Sequence, residues 1–591
     1  MQSDPLSPAP GGRSRRRVVA VALVVLLVVG AVAGVLVIVA RPPWLHDVKT
    51  TLQQVPVIGQ LPGIVAAPTG LPTPPTVTLG ATPPPVMPGA TPKPSFAGSA
   101  DTVPLQKRPE FAYEGTRPWQ IQARSEPGRL IEGYASAPSY FPGDTLKLAV
   151  STTASSYSAT IWRVSGNAPV DSPFVRVATI ASAPGQQQAA PVIDPATKMV
   201  RAPWAWTTTF AIPAGWPSGM YLVRLDSAEG AQSYVPFVLR SRSATKFLVV
   251  SSALNWQAYN DWGGSSVYVT RIGDPLPGVR RALGVSFDRP YAHGGGAGQV
   301  FFLELPFISW IERQGLDVSF TTDYNLSIDP QNQPLPGTVI FNGHDEYWGV
   351  PLYDWLDAHV TAGDIGVAML AADTGYWPIS FGPGSPDGPR DFVCLKDGPV
   401  PQAFLPPGQT PEPVDTAGAT PAPGDIEDRA NTPGYQALGP GGPYVGSFMD
   451  EPLFGVRYRG ITSVLGRYSI LASGADPRLL DGTGLTANGS LGFIAGGEVD
   501  GVYPFAEWWG PLGGAYDHRF ATAGQVPGRA SWSRWTADAV WRELPSGGRV
   551  FSAGTFYWGW ALDPAWGRQH HVPPGFGRLT RNILNWLAKG R

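Results

Sequence analysis

An unbroken apolar run of 23 residues near the N-terminus most strongly constrains how this chain can fold. It extends from Val18 to Ala40 and follows the basic cluster Arg13 and Arg15–Arg17. A helix rising about 1.5 Å per residue would span roughly 34 Å here, enough for a bilayer core of about 30 Å. A cleaved signal peptide is the alternative, but its apolar part is normally only about 7–15 residues long. The run therefore predicts a membrane anchor over 18–40.

Basic residues before an apolar span favour a cytoplasmic N-terminus. We therefore predict a cytoplasmic tail over 1–17, a single-pass protein of the cell membrane, and C-terminal domains outside the cytoplasm. Residues 41–117 are rich in proline and predict a semi-rigid linker, since such a segment cannot bury a core. Residues 400–440 have the same composition and predict a disordered insertion in the surface of a folded domain.

Charge and cysteine content exclude several classes of site. The net charge is -2, and outside the first 17 residues no basic stripe is present, so nucleic acid is not a predicted partner. The single cysteine, Cys394, excludes an internal disulfide and a cysteine-cluster metal site.

Two folded units are predicted after the linker. Residues 118–243 contain short alternating apolar runs between turn residues, such as Leu146–Val150 and Tyr221–Leu225, and these predict an immunoglobulin-like β-sandwich. Residues 244–591 alternate strand runs with helical runs. That pattern predicts an α/β domain with a mostly parallel sheet, of the Rossmann-like or glutamine-amidotransferase-like kind. The predicted fold class is thus mixed β and α/β behind an N-terminal transmembrane helix.

Polar and aromatic residues are dense where the predicted strands of the second unit end. The sets are NWQAYNDW after Phe247–Val250, NGHDEYW after Thr338–Phe341, and AADTGYW after Gly366–Leu370. Ligands of parallel sheets bind at the carboxyl ends of the strands, so we expect the functional residues there. The chain has no H-E-x-x-H pair, nucleophile elbow or Walker loop.

Several motifs resemble the large subunit of bacterial N,N-dimethylformamidase and its C-terminal-domain family. They cover about 128–590 in order and are IEGYAS, WQAYNDWGG, SFDRPY, GHDEYW, DTGYW and VFSAGTFYWGWAL. The resemblance implies a mononuclear ferric iron (Fe3+) held by two tyrosines and one glutamate, and hydrolysis of a small amide. On the matching motifs the metal ligands would be Tyr259, Tyr291 and Glu346.

The resemblance also suggests residues for acid–base work. His344 would act on a bound water or orient Glu346, while Lys396 and Glu498 would supply a cation and a further carboxylate. Asp373 stands where the resembled family has asparagine. An ionised carboxylate cannot donate a hydrogen bond to a developing oxyanion as an amide can, so dimethylformamide itself is not implied as substrate.

Two functions stay open from the sequence. One is a metal-dependent hydrolase with a small-molecule amide or related carbonyl substrate. The other is a non-catalytic surface module that binds a cell-envelope polymer or a protein partner. Assembly into an oligomer is left open. The metal content of the purified protein would separate the two functions.

We predict that deleting residues 400–440 lowers the melting temperature little, because a segment of this composition offers no core residues. Doubling a loop changes its closure free energy by only about 0.6 kcal/mol, so shortening it has a small effect as well. Thermal unfolding of the deletion variant would measure this, and a large fall in melting temperature would show that the segment packs.

Overall fold

The computed structural model describes residues 102–104, 113–122, 130–270, 281–382, 384–385, 388–396, 436–437, 444–445, 453–502, 516–527 and 534–588. All of them belong to one compact unit, Pro94–Arg591. The predicted tail, the apolar run, most of the linker and most of the insertion 400–440 lie outside the described residues.

The predicted single-pass anchor and its cell-membrane localisation are corrected by the structure. In the part of the chain that it describes, no helix is long and apolar enough to cross a bilayer. The run over 18–40, on which the prediction rested, lies outside that part.

The first half of the described chain consists of strands joined by short turns. They are β1 (Thr102–Pro104), β2 (Ile131–Ala135), β3 (Ser139–Tyr140), β4 (Thr145–Thr152), β5 (Ser156–Val164), β6 (Phe174–Pro184), β7 (Val192–Ile193), β8 (Val200–Arg201), β9 (Thr208–Ala211), β10 (Gly219–Ser227) and β11 (Gln232–Leu239). One sheet has the order β3-β11-β10-β5-β6 and a second has the order β2-β4-β9.

Alternating side chains join these two sheets into one core. Leu146 and Leu148 of β4 pack in the same apolar cluster as Ile161 of β5 and Val223 of β10. Successive residues of a strand point to opposite faces, so the residues between them are left for the outer surface. Lys147, between the two buried leucines, is accordingly only half-buried.

The middle of the chain mixes strands with short helices. The strands are β12 (Phe247–Ser251), β13 (Gly284–Ser286), β14 (Val318–Thr322), β15 (Thr338–His344), β16 (Tyr347–Gly349), β17 (Gly366–Ala372), β18 (Trp377–Phe381), β19 (Gly384–Ser385), β20 (Gly388–Pro389) and β21 (Asp391–Val393). The helices are α1 (Ala253–Ala258), α2 (Leu305–Glu312), α3 (Asp323–Ile328) and α4 (Val350–Ala362), and one wide helical turn (Val300–Glu304) leads into α2.

The last part of the chain has longer strands. These elements are β22 (Gln436–Ala437), β23 (Tyr444–Val445), β24 (Arg457–Ile470), β25 (Ser490–Gly501), β26 (Tyr516–Pro527), β27 (Arg534–Glu543), β28 (Arg549–Ser552), α5 (Pro477–Leu480), α6 (Pro564–Gln569) and α7 (Phe576–Leu587).

The large sheet is mixed, and the predicted mostly parallel α/β domain is wrong. Five strands, in the order β14-β12-β15-β17-β28, run parallel. From β28 onward the order β27-β26-β24, with β1 and β25 both paired to β24, is antiparallel. Parallel neighbours need a crossover connection of a dozen or more residues, usually a helix, and among the described residues between β24 and β27 the only α-helix is the short α5. The helix–strand alternation of residues 247–372 does not extend to the end of the chain.

The site region lies where the parallel strands meet a smaller sheet. Strands β15 and β17 are buried along their whole length. Two residues separate β15 from β16, and β16 belongs to a second sheet, of four strands in the order β13-β21-β18-β16. Residues from both sheets therefore meet at the carboxyl end of β15.

Arg390 connects the first half of the chain to the site region. We predict that the substitution Arg390→Met strongly destabilises the protein. Its guanidinium donates to the carbonyl oxygens of Ser136 (2.7 Å), Ala135 (2.9 Å) and Phe287 (2.9 Å), and to the Asp288 carboxylate (2.8 Å). Each buried acceptor left without its donor costs about 1–3 kcal/mol. We therefore expect the free energy of unfolding to fall by at least about 3 kcal/mol in urea denaturation.

Arg478→Met is the matched control. The Arg478 side chain is 52% exposed and pairs with Asp476 at 2.6 Å. Exposed pairs of this kind contribute roughly 0–1 kcal/mol, so the control should change stability little. Equal destabilisation by the two substitutions would contradict a special role for Arg390.

Candidate functional site

Glu346 lies in the two-residue turn between β15 and β16, and its side chain is fully buried. Gly343 precedes this turn and adopts a φ of +77°, a conformation that glycine reaches at little energetic cost. A Cβ atom there would lie 2.6 Å from the carbonyl oxygen of Leu303. The strand can therefore pass the wide helical turn closely enough to present His344 and Glu346 only with glycine at this position.

Two phenols converge on one oxygen of Glu346. The hydroxyls of Tyr259 and Tyr268 donate to Oε2 at 3.0 Å and 2.5 Å, and their rings stack with centroids 4.2 Å apart. On the other side of the carboxylate, Lys396 Nζ lies 3.5 Å from Oε1. Three donors thus surround one buried carboxylate.

These neighbours decide the ionisation of Glu346. Burial pushes the pKa of this carboxyl upward, but the charge of Lys396 and the neighbouring His344 and Tyr268 outweigh burial and hold the pKa at about 2. A buried carboxylate is costly unless it is paired and hydrogen-bonded, and here it is both. Glu346 is therefore an anion at neutral pH.

His344 faces three carboxylates. Its Nε2 atom lies 3.2 Å from Glu498, 3.4 Å from Glu346 and 4.0 Å from Asp373. The ligand atoms of His344, Glu346 and Asp373 all lie within 4.8 Å of one another, so this buried trio has the spacing of a metal-binding group. The imidazole and these carboxylates together form a dense set of acid–base groups.

Asp373 and Glu498 reach the site from different parts of the large sheet. Asp373 follows the parallel strand β17 and adopts a φ of +51°, which is uncommon for a residue with a side chain. Its backbone N–H donates to both carboxylate oxygens of Asp500, at 3.0 Å and 3.2 Å, and these contacts hold the strained turn. Glu498 and Asp500 lie on the antiparallel strand β25, so the antiparallel half also contributes to the site.

A buried arginine shapes the loop that carries the two phenols. Arg289 of the SFDRPY motif donates to the carbonyl oxygens of Asn260 (2.7 Å), Ser265 (2.9 Å), Gln257 (3.3 Å) and Trp262 (3.3 Å). Burial lowers its pKa to about 9, which leaves it charged at neutral pH. The guanidinium thus closes residues 257–265 into a compact loop, with Tyr259 inside it and Tyr268 just beyond.

The structure brings most of the candidate residues together and places one elsewhere. Tyr259, His344 and Lys396 contact the Glu346 carboxylate. Asp373 and Glu498 lie beside the same nitrogen of His344. Tyr291 instead packs against the ring of Trp256, with centroids 6.1 Å apart, and its hydroxyl interacts with Gln257.

Sequence reasoning missed Tyr268 and Tyr347. Tyr268 belongs to none of the motifs that carry the resemblance, and it reaches Glu346 only through the fold of the loop around Arg289. Tyr347 belongs to the GHDEYW motif, but nothing in the sequence shows that its hydroxyl donates to the hydroxyl of Tyr268 at 2.5 Å. The only signal for Tyr347 in the sequence was its position directly after Glu346.

The donor set fits a ferric ion. Hard, highly charged cations prefer anionic oxygen ligands, and two phenols with one carboxylate can provide three such oxygens. The oxygens already lie 2.5–3.0 Å from Glu346 Oε2, close to the spacing of ligands on one metal ion. A divalent metal is also compatible with the His344, Glu346 and Asp373 trio.

We predict that Arg289→Met destabilises the protein and disorganises the phenol loop. The substitution leaves several buried carbonyl oxygens without a donor, each at a cost of about 1–3 kcal/mol, so the free energy of unfolding should fall by at least about 3 kcal/mol. Urea denaturation would measure this. Arg313→Met is the control, since Arg313 is half-buried and bonds the nearby Ser309 Oγ at 2.7 Å. Comparable losses for both variants would contradict the prediction.

Comparison with known proteins identifies a family. Among the solved structures, a cycloisomaltooligosaccharide glucanotransferase from Paenibacillus sp. is 17% identical with a TM-score of 0.12; the match covers 20% of this chain and 15% of that one. Murine CEACAM1b is 7% identical with a TM-score of 0.10, over 20% of this chain and 61% of that one. No curated protein matches significantly. The family model "N,N-dimethylformamidase beta subunit-like, C-terminal" matches residues 172–572, more than half of the chain. The protein belongs to the N,N-dimethylformamidase beta subunit-like family.

Proposed function

We propose that the protein is a metal-dependent hydrolase of an amide or related carbonyl compound, with one ferric ion held by Tyr259, Tyr268 and Glu346. The observation that carries the proposal is the convergence of both phenol hydroxyls on one oxygen of Glu346, at 3.0 Å and 2.5 Å. Family membership supports a hydrolase-like protein. The sequence-based ligand set contained Tyr291, and the proposal replaces it with Tyr268 because of this geometry.

Charge balance favours a trivalent ion. Two phenolates and the Glu346 carboxylate carry three negative charges, which match the three positive charges of Fe3+ in a buried site. Each phenol hydroxyl donates a hydrogen bond to Glu346, and it would lose its proton on binding the metal. Metal affinity should therefore increase with pH, as for other sites whose ligands must be deprotonated.

A bound ferric ion would supply Lewis-acid polarisation of a carbonyl oxygen and would acidify water. The remaining chemistry belongs to the protein. With a neutral imidazole, His344 would accept a proton from an attacking water at Nε2, and this atom lies 3.4 Å from Oε2 of Glu346, beside the proposed metal. Glu498, 3.2 Å from the same nitrogen, stabilises the imidazolium that forms. The imidazolium can then return the proton to the leaving amine.

Asp373 affects which substrates suit this site. Its carboxylate lies 4.0 Å from His344 Nε2 and is buried. An ionised carboxylate accepts hydrogen bonds but donates none. The site therefore favours a substrate that carries an N–H or O–H donor over one without donors, such as a fully substituted amide.

We expect the purified chain, loaded with Fe3+, to bind one ion and to show a visible phenolate-to-iron charge-transfer band. Tyr259→Phe and Tyr268→Phe each remove one phenolate, so the band should weaken or disappear and the metal content should fall. Tyr291→Phe should retain both. Metal analysis and visible spectroscopy measure these outcomes.

The matched control is Tyr234→Phe, because this tyrosine takes no part in the site and its hydroxyl donates to the carbonyl oxygens of Trp119 and Tyr113. His344→Ala should keep the metal and the colour and lower the hydrolysis rate on an amide panel by about 10²–10⁴-fold, the usual contribution of a general base. Absence of bound metal in the wild-type chain would refute the hydrolase and leave the non-catalytic binding module. Loss of colour in Tyr291→Phe but not in Tyr268→Phe would refute the ligand set.

A further inference from the structure

Tyr347 links a buried lysine to one of the two phenols. Its side chain is fully buried, and its hydroxyl donates to the hydroxyl of Tyr268 at 2.5 Å. Lys396 Nζ in turn donates to the hydroxyl of Tyr347. Tyr347 takes no part in the function proposed above, although it lies directly beside Glu346 in the chain.

The direction of this chain of hydrogen bonds follows from its ends. An ammonium group can only donate, so Tyr347 accepts from Lys396 and uses its single proton on Tyr268. Tyr268 then donates to Glu346 in the structure described. Because Tyr347 has one hydroxyl proton, it cannot give the same hydrogen bond to Tyr259.

Aromatic rings hold Lys396 in this position. Its Nζ lies 3.7 Å from the ring centroid of Tyr268, 4.8 Å from that of Tyr347 and 5.0 Å from that of Trp377. Ammonium groups are attracted to ring faces, and more strongly where water is excluded. Lys396 is 4% exposed, so its charge acts in a largely water-free environment.

The Tyr347 ring is itself locked. It meets the ring of Tyr268 edge to face, at an interplanar angle of 89° and a centroid distance of 6.3 Å, and that of Tyr259 at 80° and 6.4 Å. Strand β16 fixes its backbone through parallel pairing with Trp377 on β18. The ring therefore holds the hydroxyl oxygen within hydrogen-bond distance of the Tyr268 hydroxyl.

We infer that Tyr347 is a positioning residue that makes the two phenol ligands unequal by transmitting the charge of Lys396 to Tyr268. This inference rests on the ferric site proposed above. When Tyr268 is a phenolate, the hydrogen bond from Tyr347 withdraws electron density from its oxygen and makes it the weaker donor to the metal. Tyr259 is then the stronger donor, and the Lewis acidity of the site is set partly by a residue that does not touch the metal.

Tyr347→Phe in the ferric protein tests the inference, since it removes one oxygen and keeps the ring. Loss of the hydrogen bond raises the energy of the phenolate electrons, so the charge-transfer band should move to longer wavelength while the metal content stays at one ion per chain. Resonance Raman spectra should show two distinct tyrosinate C–O vibrations in the wild type that become more alike in the variant. Tyr234→Phe should change neither spectrum.

Lys396→Met provides a second variant, because methionine keeps the apolar stem and removes the charge. It should shift the band in the same direction as Tyr347→Phe. Unchanged band positions in both variants, with metal retained, would overturn the inference and leave the ferric hydrolase standing. Loss of metal from Tyr347→Phe alone, with normal folding by circular dichroism, would also overturn it, since the residue would then be needed for binding rather than for tuning.

The outcome in which the wild-type chain binds no ferric ion is separate, because it refutes the proposed function. The hydrogen-bonded chain can still be examined in the metal-free protein, where short O–H···O bonds give proton resonances far downfield. Disappearance of one such resonance in Tyr347→Phe would support the Tyr347–Tyr268 link. An unchanged set of resonances would refute the link itself.

Discussion

Burial of the Glu346 carboxylate is the constraint on which the rest of the site depends. An ionised carboxylate in a protein interior needs charge partners and hydrogen bonds, or it takes up a proton. Here the phenols of Tyr259 and Tyr268 bond one oxygen while Lys396 lies beside the other. A single anion therefore gathers side chains from the 259–268 loop and from the segment after β21. A metal that replaced the phenol protons would use the same convergence.

Each group reaches Glu346 on a different element, and the mixed sheet is what allows this. The parallel half delivers His344 and Asp373 at the carboxyl ends of β15 and β17, as parallel sheets generally do with their ligands. The antiparallel half delivers Glu498 on β25. The small four-stranded sheet positions Tyr347. A purely parallel domain would have supplied only His344 and Asp373.

Buried cations have two distinct uses in this region. Arg289 donates to backbone carbonyl oxygens and shapes a loop. Lys396 instead places its charge among aromatic rings next to the carboxylate. The planar guanidinium offers five donors in a fixed fork, whereas the ammonium is a compact point charge, so each residue suits its task. The first stabilises geometry, and the second changes the electrostatic potential at the phenols.

Local sequence alone determined the strands of 247–372, the family, and the candidates His344, Glu346 and Asp373, because hydrophobic periodicity and short motifs are properties of neighbouring residues. It could not determine the orientation of strands β24–β27, and it wrongly extended the parallel pattern to them. Nor could it select Tyr268 over Tyr291, since Tyr291 lies inside the SFDRPY motif and Tyr268 lies in no motif. Only the loop closed by Arg289 brings Tyr268 to Glu346. Contacts between residues 78 positions apart in the chain, such as Tyr268 with Glu346, depend on tertiary packing that no local pattern records.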